Sequence, residues 1–255
     1  MIESKLSEGF DMKKRIIVAI TACLALICML FAFLIYNGYL LLNNPSEDDY
    51  PVRGADVSRY QGKIDWQTFS ENGISFVFIK ATEGSKHTDE HFEYNYAEAA
   101  KTHLRVGAYH FFSFESAGLA QAEHFISTVP KTENMLPPVI DLEFYGSFAS
   151  EHPDSEYVTN ELSAMINALY KHYGVMPIIY TAEEEYSLYL SGGFEENPIW
   201  IRSVYKKPSP LPDGKSWTFW QYTNRARLNG HSGEEKFIDM NVFNGTKEEF
   251  LSFGK

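Results

Sequence analysis

The sequence predicts an α/β fold: an eight-stranded barrel with an irregular final third, behind a single N-terminal apolar helix. Three observations carry this prediction. Eight short runs between residues 53 and 243 are near-continuously apolar rather than alternating, the pattern of strands covered on both faces. Helix-length segments separate the first five runs and shorter polar turns the last three, an alternation that points to a barrel. The competing open doubly wound sheet should carry a Gly-rich phosphate loop after a strand, and neither G-x-G-x-x-G nor a Walker A motif occurs.

The predicted strands are Arg53–Val57, Phe76–Ala81, Val106–Phe112, Val139–Glu143, Pro177–Thr181, Pro198–Ser203, Trp217–Tyr222 and Phe237–Val242. Helices are predicted over Tyr94–His103 and Ala117–Val129, and over Asp154–Tyr173, where Asp154 and Ser155 are good N-caps. The chain has 255 residues, enough for one large domain and an appendage.

Residues 16–36 read IIVAITACLALICMLFAFLIY, and no charged residue lies between Arg15 and Glu47. At a rise of about 1.5 Å per residue this stretch matches a bilayer core of about 30 Å. Lys13, Lys14 and Arg15 precede it and the next basic residue is Arg53, so the positive-inside rule puts the N-terminus in the cytoplasm and the rest of the chain outside. A cleaved signal peptide has a shorter apolar core and a small-residue cleavage site, which Tyr36-Asn37-Gly38-Tyr39 does not supply. Ile20-Thr21-Ala22-Cys23 resembles a lipobox, but the apolar sequence continuing past it is unlike a mature lipoprotein N-terminus. Met12, ahead of Lys13-Lys14-Arg15, also reads as an alternative start. The expected organisation is a cytoplasmic tail (1–15), a single-pass membrane anchor (16–42), a polar linker (43–52) and a globular domain (53–255) facing the periplasm or cell wall.

Composition narrows the chemistry. Net charge is −12, about −10 of it on residues 51–255, which repels phosphate backbones and argues against nucleic acid as a partner. Both cysteines, Cys23 and Cys28, lie in the apolar stretch, so the globular part has no disulfide framework, Cys-based zinc site or thiol nucleophile. None of the eight histidines sits in H-E-x-x-H, and His110 reads as structural. Ser58 and Ser203 lack a G-x-S-x-G elbow. No metal or cofactor is expected. The aromatic content of 15% suits either a well-filled core or a sugar-binding cleft.

Carboxylates stand out within the apolar runs: Asp56 in the first strand, Asp141 and Glu143 in the fourth, Asp239 in the eighth. An ionised carboxylate is costly to bury unless it is paired or has chemical work. Asp141 and Glu143 are two residues apart on a strand, so they point the same way with Cβ atoms about 7 Å apart. Like charges at that separation raise at least one pKa, and a carboxylic acid neutral at pH 7 is what a glycosidase needs to protonate a leaving oxygen. The pair alone would also suit Ca²⁺ binding or loop capping; Asp56 and Asp239 on other strands favour catalysis.

At this point the motifs form an ordered series. Gly54-Ala55-Asp56-Val57-Ser58 is followed by Gln61-Gly62 and Ile64-Asp65-Trp66, then Ile79-Lys80-Ala81-Thr82-Glu83-Gly84 and Gly107-Ala108-Tyr109-His110-Phe111. Leu136-Pro137-Pro138-Val139-Ile140-Asp141-Leu142-Glu143, Pro177-Ile178-Ile179-Tyr180-Thr181, Trp200-Ile201, Trp220-Gln221-Tyr222 and Asp239-Met240-Asn241-Val242-Phe243-Asn244-Gly245 complete it. Over nearly all of residues 53–250 this series resembles the glycoside hydrolase family 25 lysozymes, the Chalaropsis- or cellosyl-type N-acetylmuramidases. Two positions depart from the family pattern: Arg202-Ser203 follows Trp200-Ile201 where an Ala is common, and His103-Leu104 precedes the third strand where a Gly is common.

The resemblance implies an irregular TIM-like (β/α)5(β)3 barrel that cleaves the β-1,4 bond between N-acetylmuramic acid and N-acetylglucosamine with retention. It implies Glu143 as acid/base, Asp141 as the partner of the substrate's 2-acetamido group, and Asp56 and Asp239 as further acids of the cleft. A direct Asp nucleophile is the alternative. By position Tyr109, Tyr180, Trp200 and Tyr222 would form a sugar platform, Gln221 would hydrogen-bond substrate, and Arg202 would contact a glycan carboxylate or pair with a neighbouring acid. Peptidoglycan strands are the expected partner of a monomeric catalytic domain, with localisation supplied by the N-terminal anchor rather than by C-terminal wall-binding repeats. Two other readings compete: a membrane-held, catalytically silent glycan receptor, and a hydrolase of chitin-like polymers. The latter lacks its D-x-x-D-x-D-x-E strand motif, since Leu136-Pro137-Pro138 precedes the acidic pair.

Overall fold

The computed structural model describes residues 2–255, with side chains from Met12 onward. They form two compact units, one ending at Leu42 and one comprising Asn43–Lys255. Helix α1 (Ile2–Tyr36) dominates the first, and its segment Met12–Tyr36 is long and apolar enough to cross a membrane.

The second unit is a closed barrel. Its strands are β1 (Arg53–Val57), β2 (Phe76–Glu83), β4 (Arg105–Phe111), β5 (Val139–Leu142), β6 (Ile178–Ala182), β7 (Ile199–Arg202), β8 (Phe219–Ala226) and β9 (Ile238–Phe243), with a two-residue strand β3 (His87–Thr88) folded back on β2. All eight predicted runs are strands. The order β1-β9-β8-β7-β6-β5-β4-β2 closes through parallel pairing of β2 with β1. Helices α2 (Trp66–Ser70), α3 (Phe92–Ala99), α4 (Gly118–Thr128) and α5 (Ser155–Tyr173) connect the early strands. A single turn, α6 (Glu183–Glu185), runs into a π-helical turn Tyr186–Leu190 after β6. Loops join β7, β8 and β9, and α7 (Lys247–Ser252) follows. One feature departs from an all-parallel barrel: β9 is antiparallel to both β1 and β8.

Side-chain alternation fills the barrel. Phe76 and Phe78 of β2 point inward with Trp200, Phe219 and Phe243, and Phe250 of α7 joins the same cluster. Glycines flank the two β2 rings. Gly54 is paired with Phe76, where a Cβ would overlap the ring, and a Cβ on Gly107 would sit 2.5 Å from Cδ1 of Phe78. The glycines that open two of the sequence motifs are therefore space for aromatic packing.

Other motif residues cap helices. Ser58 and Gln61 form a capping box around the 3₁₀ turn Arg59–Gln61, and the Asp65 carboxylate accepts from Thr68 N–H at the start of α2. Asp154 caps α5 as predicted, and Gly174 ends that helix at φ 80°.

Residues 43–52, read from composition as a linker, lie against the barrel instead. Val52 and Tyr50 are buried, and the Tyr50 ring packs 5.9 Å from both Trp217 and Trp220. Asn43 Nδ2 donates to the carbonyls of Ser203 and Lys206, each at 2.9 Å. Arg53 donates to Asn44 Oδ1, the Pro45 carbonyl and Tyr222 Oη. The strap is polar because its work is hydrogen bonding. It covers the outer face of β8, where Trp220 and Tyr222 project from a wall flanked by loop-connected strands. Tyr50→Ala should cost about 2–3 kcal/mol and lower the thermal midpoint by roughly 4–12 °C. A circular-dichroism melt checks this, and an unchanged midpoint would reduce the segment to a passive spacer.

Candidate active site

The C-terminal ends of the parallel strands converge at one mouth of the barrel. Because β9 runs antiparallel, its N-terminal end reaches the same mouth, and Asp239 stands in register with Asp56 of β1. Asp56, Asp141, Glu143 and Asp239 line one cavity of about 90 Å³ there, with Tyr109, Tyr180 and Trp200. Of the remaining predicted site residues, Gln221 lies buried behind the acids. Tyr222 does not join them, because alternation along β8 sends it to the outer face beneath Arg53, whose guanidinium carbon lies 5.6 Å from its ring centre.

Two amides orient the first pair of acids. Gln221 Nε2 donates to Asp56 Oδ2 at 3.0 Å and to Asp239 Oδ2 at 3.3 Å, while its Oε1 accepts from Tyr180 Oη at 3.0 Å. Asn241 Nδ2 donates to the same Asp56 oxygen at 2.8 Å, and its Oδ1 accepts from Trp200 Nε1 at 2.8 Å. The indole N–H and the phenol O–H thus select which way each amide faces. Trp200 is only 2% exposed and stacks on Phe78 with ring centres 4.7 Å apart, so it supports the site from the core. Asn241 was missed as a site residue. Its signal is an Asn in an apolar strand, two residues after Asp239 and hence on the same face.

Burial lifts all four acids. Asp239 is held well above the usual carboxylate range by burial and then by Asp56. Asp56 is raised less: burial pushes it up, and bonds from Asn241 and Gln221 and the charge of Arg202 draw it back. Asp141 is raised well above its ordinary value by burial and by Glu143, with Lys80 opposing. Its Oδ1 is buried and has no hydrogen-bond partner among the described residues.

Glu143 is pushed up to about 7, by burial first, with Glu185 and Asp56 reinforcing and Arg202 opposing. Arg202 Nε lies 3.8 Å from Glu143 Oε1, so of the two partners considered for Arg202 this structure contains the neighbouring acid. Glu143 keeps 29% side-chain exposure, which leaves it open to a ligand in the cleft. The arrangement can hold a neutral carboxylic acid at neutral pH beside a carboxyl oxygen awaiting a donor. Tyr109 and Tyr180 have hydroxyls raised by burial and by the acids, so both stay neutral donors.

His110, beside this cluster in sequence, is fully buried between Thr82 Oγ1 (2.7 Å to Nδ1) and Gln121 Oε1 (2.9 Å to Nε2). Burial lowers its pKa to about 4, so the ring is a neutral tie between β2, β4 and α4. Among the described residues no group of three or more His, Cys, Asp or Glu side chains is arranged to hold a metal ion.

The chain as a whole is similar to known proteins. The profile of Glycosyl hydrolases family 25 matches residues 55–231. The uncharacterised protein YegX of Escherichia coli K12 is 37% identical over 209 residues, covering 80% of this chain and 74% of YegX. Lysozyme M1 of Streptomyces globisporus is 33% identical over 217 residues, covering 80% of this chain and 72% of that enzyme. Among solved structures, a family 25 glycosyl hydrolase from Bacillus anthracis superposes with a TM-score of 0.79 at 52% identity, covering 84% of this chain and 98% of that one.

Proposed function

This chain belongs to glycosyl hydrolases family 25 and is a lysozyme-type glycoside hydrolase, and from that premise we propose that it cleaves the N-acetylmuramic acid–N-acetylglucosamine β-1,4 bond of peptidoglycan with Glu143 as acid/base. The observation that carries the reading is the pairing of a carboxyl pushed up to about 7 by burial with a buried neighbour whose Oδ1 has no hydrogen-bond partner among the described residues.

In this reading Glu143 gives its proton to the glycosidic oxygen as that bond breaks. The carbonyl oxygen of the substrate's own 2-acetamido group attacks the anomeric carbon from the opposite face. The acetamido N–H, which becomes acidic as its oxygen bonds to carbon, donates to Asp141 Oδ1. Glu143, now a carboxylate, takes a proton from the water that opens the cyclic intermediate, and the anomeric configuration is retained. Asp56 and Asp239, held by Gln221 and Asn241, line the cleft and steer the sugar, with Tyr109 and Tyr180 as neutral donors at its wall. The unpartnered Asp141 oxygen favours this route over a direct Asp nucleophile, because a hydrogen-bond donor from substrate completes it.

Met12–Tyr36, whose first turn carries Lys13, Lys14 and Arg15 ahead of the apolar run 16–36, supports a single-pass anchor with a cytoplasmic N-terminus and an extracytoplasmic catalytic domain. Peptidoglycan lies on that side of the membrane.

The test is digestion of purified peptidoglycan, borohydride reduction of the new ends, and mass spectrometry of the released muropeptides. Muramitol ends are expected. Glucosaminitol ends, or no release, would overturn the assignment of the bond.

A further inference from the structure

The residues Glu183-Glu184-Glu185 follow β6 as a run of three acids, which in sequence reads as a solvated charge cluster. The structure separates them. Glu183 pairs with Lys206 at 3.1 Å and Glu184 approaches His152 at 3.8 Å, both near the surface. Glu185 turns inward and is only 6% exposed. Its Oε1 accepts from the backbone N–H of Phe144, the residue after Glu143, at 3.1 Å. Its Oε2 is buried without a hydrogen-bond partner among the described residues. The chain then enters the π-helical turn Tyr186–Leu190, an irregularity that recurs at functional sites.

A buried carboxylate with half of its acceptor capacity unused is costly. Holding the Phe144 N–H alone would need only one acceptor, so a carboxyl group with a second, unused oxygen calls for another use. Its nearest chemistry is the exit of β5. We propose that Glu185 is a positioning residue for the catalytic acid: it ties down the backbone at Phe144 and places a further carboxyl beside the exit of β5, where it acts on Glu143 against Arg202. The inference rests on the assignment of Glu143 as acid/base.

Other groups that face Glu143 set the background. Arg202 of β7 favours its ionised form, as does the hydroxyl of Tyr180 of β6. Asp141 on its own strand, Asp56 of β1 and Asp239 of β9 act against ionisation. Glu185 is the acid among them that comes from outside the barrel strands, and it counters Arg202. Beside Phe144 the His152 ring stacks at 4.1 Å, and that His faces Glu184. Tyr189 also faces Glu185, and its phenol is raised by burial first and then by Glu185.

Glu185→Gln removes the charge and keeps an acceptor for Phe144 N–H. The alkaline limb of kcat/KM should move to lower pH by about one unit, so that activity is about tenfold lower at pH 8 and unchanged at pH 5. Glu185→Asp restores a charge and should return the limb toward wild type. The ¹³C shift of the labelled Glu143 carboxyl, followed by NMR, should report the same displacement without any turnover. Coincident Glu143 titrations in wild type and Glu185→Gln overturn the proposal, whatever the activity. If Glu185→Gln does not fold, Glu185→Met removes the carboxyl together with the acceptor for Phe144 N–H: a Glu143 titration displaced to lower pH supports the proposal and a coincident one overturns it. A different failure marks the parent reading: if Glu143→Gln keeps wild-type activity, Glu143 is not the acid, and the carboxyl titration still decides whether Glu185 acts on it.

Discussion

Glu143→Gln is expected to slow peptidoglycan hydrolysis by about 10²–10⁴-fold, the usual contribution of a positioned general acid. The amide is nearly the same size and can still lie beside Arg202, so the fold should be retained. What it cannot do is release a proton to the leaving oxygen or take one from water. The wild-type rate should fall as pH rises through about 7, where Glu143 ionises. The residual rate of the variant should show no such limb. Stability moves the other way. The folded-state pKa of Glu143 lies above its ordinary 4.5, so its contribution is fully present below that value and is lost as pH rises through about 7. Above pH 7 the variant should therefore melt higher than wild type. Release of reducing ends from purified peptidoglycan, with melting curves at pH 5 and 8, checks both. Equal rates for the two proteins would remove Glu143 from the mechanism.

Asp141→Asn carries the second large expectation: a loss of about 10²-fold or more in kcat with a smaller change in KM. In the proposed route the Asp141 carboxylate is needed as the acetamido group becomes a nucleophile, and that demand is greatest in the transition state. An amide can orient toward the acetamido N–H but carries no charge to meet its growing acidity. The same change should stabilise the free enzyme. Asp141 is buried, is raised well above its ordinary pKa and has an oxygen without a partner among the described residues, so ionising it works against folding. Its stabilising contribution is present at low pH and lost as pH rises. The thermal midpoint of the variant should exceed that of wild type by about 2–4 °C near neutrality, with the gap widening as pH increases. A variant both inactive and less stable would mean that Asp141 holds the barrel together rather than the substrate.

Several features were open to the sequence because they are local. The helix cap at Asp154 and the apolar strands depend on residues close in the chain. The motif glycines Gly54 and Gly107 could be seen but not explained, since the rings that need their space belong to another strand. Tyr222 was misplaced for a related reason: it neighbours Gln221 in sequence, but adjacent strand residues face opposite ways and only Gln221 reaches the acids. Residues 43–52 looked like a stalk because polar composition does not distinguish a segment solvated by water from one hydrogen-bonded to a barrel wall.

By itself, the sequence determined that a long apolar helix precedes an α/β barrel, and that four acids sit in three of its strands. Periodicity and spacing are properties of the chain and need no partner. The tertiary structure decided how those acids differ. The reversal of β9 brings Asp239 beside Asp56, Gln221 and Asn241 hold that pair, Arg202 and Glu185 bear on Glu143 with opposite signs, and Asp141 keeps an oxygen without a partner among the described residues. The physical reason is that desolvation and charge coupling depend on distance in space. Neighbours from up to 185 positions away in the chain, as between Asp56 and Asn241, set the protonation of each acid.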